Sequence, residues 1–139
     1  MTQPNATSPA VRGPVVVGYR PSPHGRAALG HGIAEARLAG TRLLVAVSAG
    51  DEGSADEERV DELDLDQELD RSGIPYAIRW LDAQRSPSEA LVSLAEEVGA
   101  VVLVIGLRQR SLVGRLILGA TAQRILIDAA VPVLAVKER

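Results

Sequence analysis

The residues with the clearest chemical potential lie in one glycine-punctuated loop near the C-terminus. An apolar run, VVLVI, leads to Gly106, and the next segment carries Arg108, Arg110 and Arg115 before Gly119 opens a helical pattern. The first backbone N–H groups of a helix have no partner inside the helix, so a strand, loop and helix N-terminus in this order commonly bind anions or nucleotides. The expected chemistry is therefore the binding of a phosphate or another anion.

The elements that must position this loop alternate between strand-like and helix-like patterns. Nearly continuous apolar runs predict strands at residues 14–19, 42–48, 101–105 and 132–136, and an alternating pattern predicts an edge strand at residues 76–81. Helices are predicted at residues 23–39, within 51–72, from residue 87 towards Gly99, and around residues 122–129. Ser22 and Ser86, each followed by proline, are predicted N-caps, and Gly40 is a predicted C-terminal stop.

This order predicts one α/β domain with an open parallel five-stranded sheet, helices on both faces and strand order 3-2-1-4-5. Ligands bind such Rossmann-like sheets where the connections diverge, here between residues 19–22 and residues 106–121. Residues 1–13 are predicted to be a flexible tail, because they are rich in Pro, Ser, Thr and Asn. The domain is then expected to span residues 14–139.

Composition excludes several classes of function. The chain has 139 residues, no Cys and 2% aromatic residues, so disulfides, thiolate nucleophiles and Cys-based metal sites are excluded. Eleven of the 18 acidic residues lie between positions 51 and 70, and the net charge is −3, which argues against a nucleic-acid binder. No apolar run reaches the roughly 18 residues of a membrane span, so we expect a cytoplasmic protein without a membrane partner.

The two histidines give no catalytic or metal-binding pattern. His24 and His31 are seven residues apart on one predicted helix, or roughly 10 Å along its axis, which is too far to share a typical metal ion. We expect both to be ordinary surface histidines. No Ser–His–acid arrangement is visible, and the chain is therefore not expected to be an enzyme.

Several segments together carry a family resemblance. VVVGY, LLVAV, SPSEAL, VVLVIG and PVLAVK follow one another in the order seen in universal stress proteins, and the chain resembles that family over about residues 15–137. The resemblance implies a Rossmann-like fold of the adenine nucleotide alpha hydrolase type. It further implies dimerisation through the last strand and, in many members, ATP or a related adenine nucleotide at the switch point.

The family's nucleotide signature is Gly, two residues, Gly, nine residues, Gly, then Ser or Thr. Gly106 and Gly119 match its outer glycines, whereas Gln109 replaces the middle glycine and Ala120 replaces the hydroxyl residue. The resemblance also implies Val47 as an apolar neighbour for adenine, and it places Arg20 where nucleotide-binding members have an acidic residue. Two further candidates for the cofactor site are Thr121, one position after Ala120, and Arg108, whose charge suits an anion. Arginine has no acceptor, so it cannot replace that acidic contact. ATP is therefore not the expected default ligand.

Several interpretations remain open. Arg20, Arg108 and Arg110 either converge on an anion or are solvated surface arginines. The main hypothesis is a homodimeric binding or regulatory module in stress response; the alternatives are a protein that binds ATP or another adenine nucleotide with slow hydrolysis, and a purely structural interaction module. The dimer is expected through the last strand, which begins at Pro132 and ends at Val136, because it is too apolar for an uncovered edge.

Overall fold

Five parallel strands form one sheet in the computed structural model, which describes residues 12–48, 62–108 and 118–138. The strands are β1 (Val15–Tyr19), β2 (Leu43–Val47), β3 (Tyr76–Trp80), β4 (Val102–Leu107) and β5 (Val133–Lys137). The described helices are α1 (Pro23–Ala39), α2 (Glu62–Ser72), α3 (Pro87–Glu97) and α4 (Ala120–Asp128). The strand order is β3-β2-β1-β4-β5, so the predicted fold class and topology are confirmed.

The helix boundaries follow the capping residues in the sequence. Ser22 precedes α1 in an extended conformation, and its Oγ accepts the Gly25 N–H at 3.1 Å. Gly40 ends this helix with φ of 66°, the left-handed conformation that glycine adopts without steric cost. Ser86 caps α3 in the same way as Ser22, since its Oγ accepts the Glu89 N–H at 3.3 Å.

Alternate residues of each strand point into two separate cores. The core beneath α1 and α2 contains Val15, Val17, Val45 and Val104, together with Leu29 of α1 and Leu69 of α2. The core beneath α3 and α4 contains Val16, Leu103 and Ile105, together with Leu91, Leu94 and Ile125 of the helices. Because helices cover both faces, the central strands read as continuous apolar runs.

Two strands, β4 and β5, continue beyond their predicted C-terminal ends. Strand β4 continues past Ile105 through Leu107, and β5 continues past Val136, because Gly106 pairs with Val136 and Leu107 pairs with Lys137. An apolar run predicts only the buried part of a strand. Backbone hydrogen bonds between β4 and β5 extend beyond that part. The site glycine Gly106 therefore lies inside a strand and not in the loop after it.

The last two residues of the predicted tail are attached to the domain. Arg12 donates from a guanidinium nitrogen to the Ala39 carbonyl at 3.0 Å, and Thr41 Oγ1 donates to the Gly13 carbonyl at 2.8 Å. The predicted tail before Arg12 and the acid-rich stretch before α2 lie outside the described residues. Within the described part of the chain, no helix is long and apolar enough to cross a membrane.

Candidate functional site

A cleft of about 410 Å³ lies at the carboxyl ends of β1 and β4. Strand β1 pairs with β2 on one side and β4 on the other, so the connections diverge at this point and leave a crevice. The cleft volume is within the range of roughly 300 to 1,000 Å³ that is typical of small-molecule sites. It is lined by Gly18, Arg20, His24, Gly25, Ser48, Pro87, Leu91, Ile105, Gly106, Arg108, Gly119, Ala120, Thr121, Ala122 and Ile125.

Positive charge reaches this cleft from three elements. Arg20 follows β1 and is half-buried, with its Nε buried, whereas Arg108 follows β4 and is exposed. The third element is the N-terminus of α4, where Gly119 is the N-cap and supplies no side-chain hydrogen bond to the first backbone N–H groups. Those N–H groups and the helix dipole favour an anion at this end of the cleft. The arrangement suits a ligand that carries negative charge.

Gly106 is required by packing between α1 and β4. A Cβ at this position would lie 2.0 Å from the His24 carbonyl oxygen, which is a backbone atom that cannot swing away. Its missing side chain allows the first turn of α1 to lie directly against the end of β4.

Gly119 has a different environment. Among the residues that the structure describes, no heavy atom other than those of its chain neighbours lies within 4 Å of the position that its Cβ would occupy, and its φ of −71° is accessible to any residue. Because Gly119 lines the cleft, the open space beside it belongs to the site. Here a side chain would narrow the cleft without displacing the backbone.

His24 is not the surface histidine that the sequence predicted. Its side chain is 14% exposed and lines the cleft, with Nε2 3.3 Å from Ser22 Oγ and Nδ1 3.9 Å from Glu138 Oε2. The helical pattern could not reveal this, because Glu138 arrives from the end of β5 at the other end of the sequence. His31 is exposed on α1, as expected.

The structure brings six of the eight predicted site residues together: Arg20, Gly106, Arg108, Gly119, Ala120 and Thr121 all line the cleft. Val47 does not, because it is fully buried in the core beneath α1 and α2. Gln109 lies outside the described residues. Sequence reasoning missed several lining residues, notably His24, Gly18 and Ser48. Ser48 could have been found, since it is the last residue of a predicted strand.

No group of three or more histidine or acidic side chains within the described ranges is arranged to hold a metal ion. The lining combines small residues, apolar side chains and the two arginines. A parallel sheet with a cleft at its switch point defines the class of doubly wound α/β proteins.

Comparison with known proteins defines the family. Residues 12–137 match the model of the Universal stress protein family, and this chain therefore belongs to that family. A curated "Universal stress protein" from Mycolicibacterium smegmatis (strain ATCC 700084 / mc(2)155) is 42% identical over 129 residues, which cover 88% of this chain and 96% of that protein.

Solved structures agree with the fold. The universal stress protein from Archaeoglobus fulgidus is 28% identical and superposes with a TM-score of 0.69, covering 89% of this chain and 98% of the other. A universal stress protein in complex with cAMP is 23% identical and superposes with a TM-score of 0.64, covering 92% of this chain and 99% of the other. The second similarity concerns the fold alone.

Proposed function

We propose that this protein is a cytoplasmic binding and regulatory module of the stress response, whose switch-point cleft takes an adenine mononucleotide or a similar small anion. The observation that carries the proposal is the position of Arg20, Arg108 and the α4 N-terminus around one cleft of about 410 Å³. A universal stress protein with a similar fold has been solved in complex with cAMP, which has one phosphate and one base. Such a ligand matches both the size and the charge of the cleft.

The proposal favours a single phosphate over a triphosphate. Ala120 brings no hydroxyl to the first turn of α4, and Arg20 brings no acceptor to the end of β1. Both changes weaken the contacts that would fix the ribose, base and terminal phosphates of ATP. By contrast, a guanidinium strengthens the attraction for one phosphate group.

The half-buried Arg20 provides the direct test. We expect Arg20→Gln to weaken cAMP binding by about tenfold to 100-fold, because a hydrogen bond to a charged group contributes about 1.5 to 3 kcal/mol. Arg79→Gln is the matched control, since Arg79 is exposed on β3 and does not line the cleft. Isothermal titration with cAMP, AMP and ATP gives the three affinities. Absence of binding for all three ligands would overturn the proposal.

A second part of the proposal is a homodimer through β5, which is an edge of the described sheet. Val133, Leu134 and Ala135 of this strand are only half-buried within one copy. A two-fold contact between edges would cover these side chains and pair the outward N–H and C=O groups. The neighbouring helix α4 also exposes Ile127, at 75%, and Leu126, at 42%.

Ala135→Pro tests the dimer without breaking the β4–β5 ladder. The Glu138 N–H donates to the Leu107 carbonyl on β4, and N–H directions alternate along a strand, so the Ala135 N–H points away from β4. Proline removes that outward donor and is tolerated on edge strands. We expect native mass spectrometry to show a dimer for the parent protein and a monomer for this variant. A parent protein that is monomeric at micromolar concentration would contradict this part of the proposal.

A further inference from the structure

His24 connects the cleft to the last residues of the sheet. It is the second residue of α1, and its backbone lies against Gly106. Its ring lies between Ser22 Oγ, 3.3 Å from Nε2, and Glu138 Oε2, 3.9 Å from Nδ1. The Glu138 side chain is only 21% exposed, and its backbone N–H donates to Leu107 at 3.4 Å. A carboxylate fixed at the end of β5 therefore faces an imidazole at the cleft.

The hydrogen bonds around this ring accommodate both charge states of the imidazole. With neutral His24, the Ser22 hydroxyl donates to Nε2 and the Nδ1–H points towards Glu138. With protonated His24, Nε2–H donates to Ser22 Oγ, and the Ser22 hydroxyl turns to the Arg20 carbonyl, which lies 3.4 Å away. Ser22 Oγ accepts the Gly25 N–H in both states. Rotation of one hydroxyl thus allows the ring to take up a proton without losing a partner.

We propose that His24 is a proton-dependent cation of the cleft, held by Glu138, so that anionic ligands bind more tightly as the pH falls. This inference rests on the proposed function, because it requires an anion in the cleft. His24 is then an anion-binding and regulatory residue. Glu138 positions the His24 ring and stabilises its protonated form.

The surrounding charges make His24 the titrating group. Among the described residues, the other charged side chains on the elements around the first turn of α1 are Arg20, Arg26, Arg108, Lys137 and Glu138. Arginine and lysine stay protonated, and a carboxylate beside an imidazole stays ionised, between about pH 5.5 and about pH 8.5. Histidine changes its charge in this interval. A pH-dependent affinity within it therefore reports His24.

The direction of the effect follows from linkage. A bound anion favours the imidazolium and so raises the pKa of His24 above its value in the free protein. The gain in affinity is complete below the pKa of the free protein and disappears as the pH rises through the pKa of the complex. One added charge about 6 Å from a phosphate, partly screened by solvent, corresponds to about threefold to tenfold tighter binding.

Cyclic AMP is a suitable probe, because its phosphodiester keeps one negative charge across this range. Titration calorimetry from about pH 5.5 to about pH 8.5 should show about threefold to tenfold tighter binding at the acidic end for the parent protein. His24→Gln should remove this dependence, because glutamine can still bond Ser22 but cannot take up a proton. His31→Gln, the same change at an exposed position on the same helix, should retain it.

Glu138→Gln gives a second, independent measurement. Without the carboxylate the imidazolium loses its counter-charge, so the pH dependence should move to lower pH, while binding at high pH should strengthen slightly because a negative charge beside His24 is removed. In NMR titrations of the imidazole protons, cAMP should raise the pKa of His24. Binding with a flat pH profile would overturn the role of His24 alone. Absence of binding at every pH would overturn the proposed function as well.

Discussion

Gly106 and Gly119 occupy two equivalent places in the nucleotide signature, yet the structure gives them different surroundings. A Cβ at Gly106 would meet the His24 carbonyl oxygen at 2.0 Å, whereas a Cβ at Gly119 would meet no heavy atom of the described neighbouring residues within 4 Å. The first glycine permits the contact between α1 and β4. The second leaves room in the cleft.

Because of this difference, a glycine at a signature position is not by itself evidence of ligand binding. Gly106 is needed to build the domain whether or not a nucleotide is present, because α1 lies directly on it. Gly25 is a similar case, since its Cβ would lie against the Arg20 carbonyl oxygen. The architecture of a nucleotide site can therefore persist while the groups that choose the ligand change. Arg20 and Ala120 are among the residues that choose the ligand.

Gly106→Ala should give the largest effect. The new methyl group would overlap the His24 backbone, so α1 must move away from β4. We expect a loss of about 3 kcal/mol in the free energy of unfolding, or roughly 10 °C in Tm. Thermal and urea unfolding measure both quantities.

Gly30→Ala is the matched control for this change. Gly30 is an exposed position of α1 with open space at its Cβ, so alanine should stabilise the helix by about 0.5 to 1 kcal/mol. Equal and small effects at the two glycines would contradict the packing role of Gly106.

The fold could be predicted from the sequence because its signals are local. Continuous apolar runs marked the central strands, and Ser22, Ser86 and Gly40 marked helix ends. The cleft was predicted correctly in place, because loops after β1 and β4 must meet at the switch point.

The interior of the cleft could be predicted only in part. Val47 was expected beside a base, but strand alternation turns it towards the α1 side of the sheet, and Ser48 lines the cleft instead. His24 was expected at the surface, but it packs against Gly106 and lies 3.9 Å from Glu138, and both residues are distant in sequence. Contacts of this kind arise from the approach of whole elements and leave no periodic signal.

Ser22→Ala should give the next largest effect. Ser22 Oγ caps α1 and also contacts His24 Nε2, and the residue is 7% exposed. We expect a loss of about 1.5 to 2 kcal/mol, compared with about 1 kcal/mol for Ser86→Ala, because Ser86 is an exposed cap. Urea unfolding of the two variants under identical conditions compares the caps. A smaller loss at Ser22 would show that its contact with His24 contributes nothing to stability.

Gly119→Ala should affect binding more than folding. Alanine is a poorer N-cap than glycine, so the free energy of unfolding should fall by about 0.5 to 1 kcal/mol. The methyl group enters the cleft beside the α4 N-terminus, and cAMP affinity should fall by about threefold to tenfold. Calorimetry on the folded variant checks the affinity. Unchanged affinity would place the ligand away from Gly119 and weaken the contrast with Gly106.

Ala120→Ser should give the smallest change in stability and the sharpest view of the ligand. Ala120 is exposed in the first turn of α4, so serine should alter the free energy of unfolding by no more than about 0.5 kcal/mol. The hydroxyl restores a donor beside the α4 N-terminus, where a phosphate would lie, and a net hydrogen bond of about 0.5 to 1.5 kcal/mol corresponds to about twofold to tenfold tighter binding. If the cleft holds one phosphate at this end, cAMP and ATP should gain by similar factors. A gain for ATP alone would show that the serine contacts a terminal phosphate. In that case Ala120, more than Arg20, would be the residue that disfavours ATP in the parent protein.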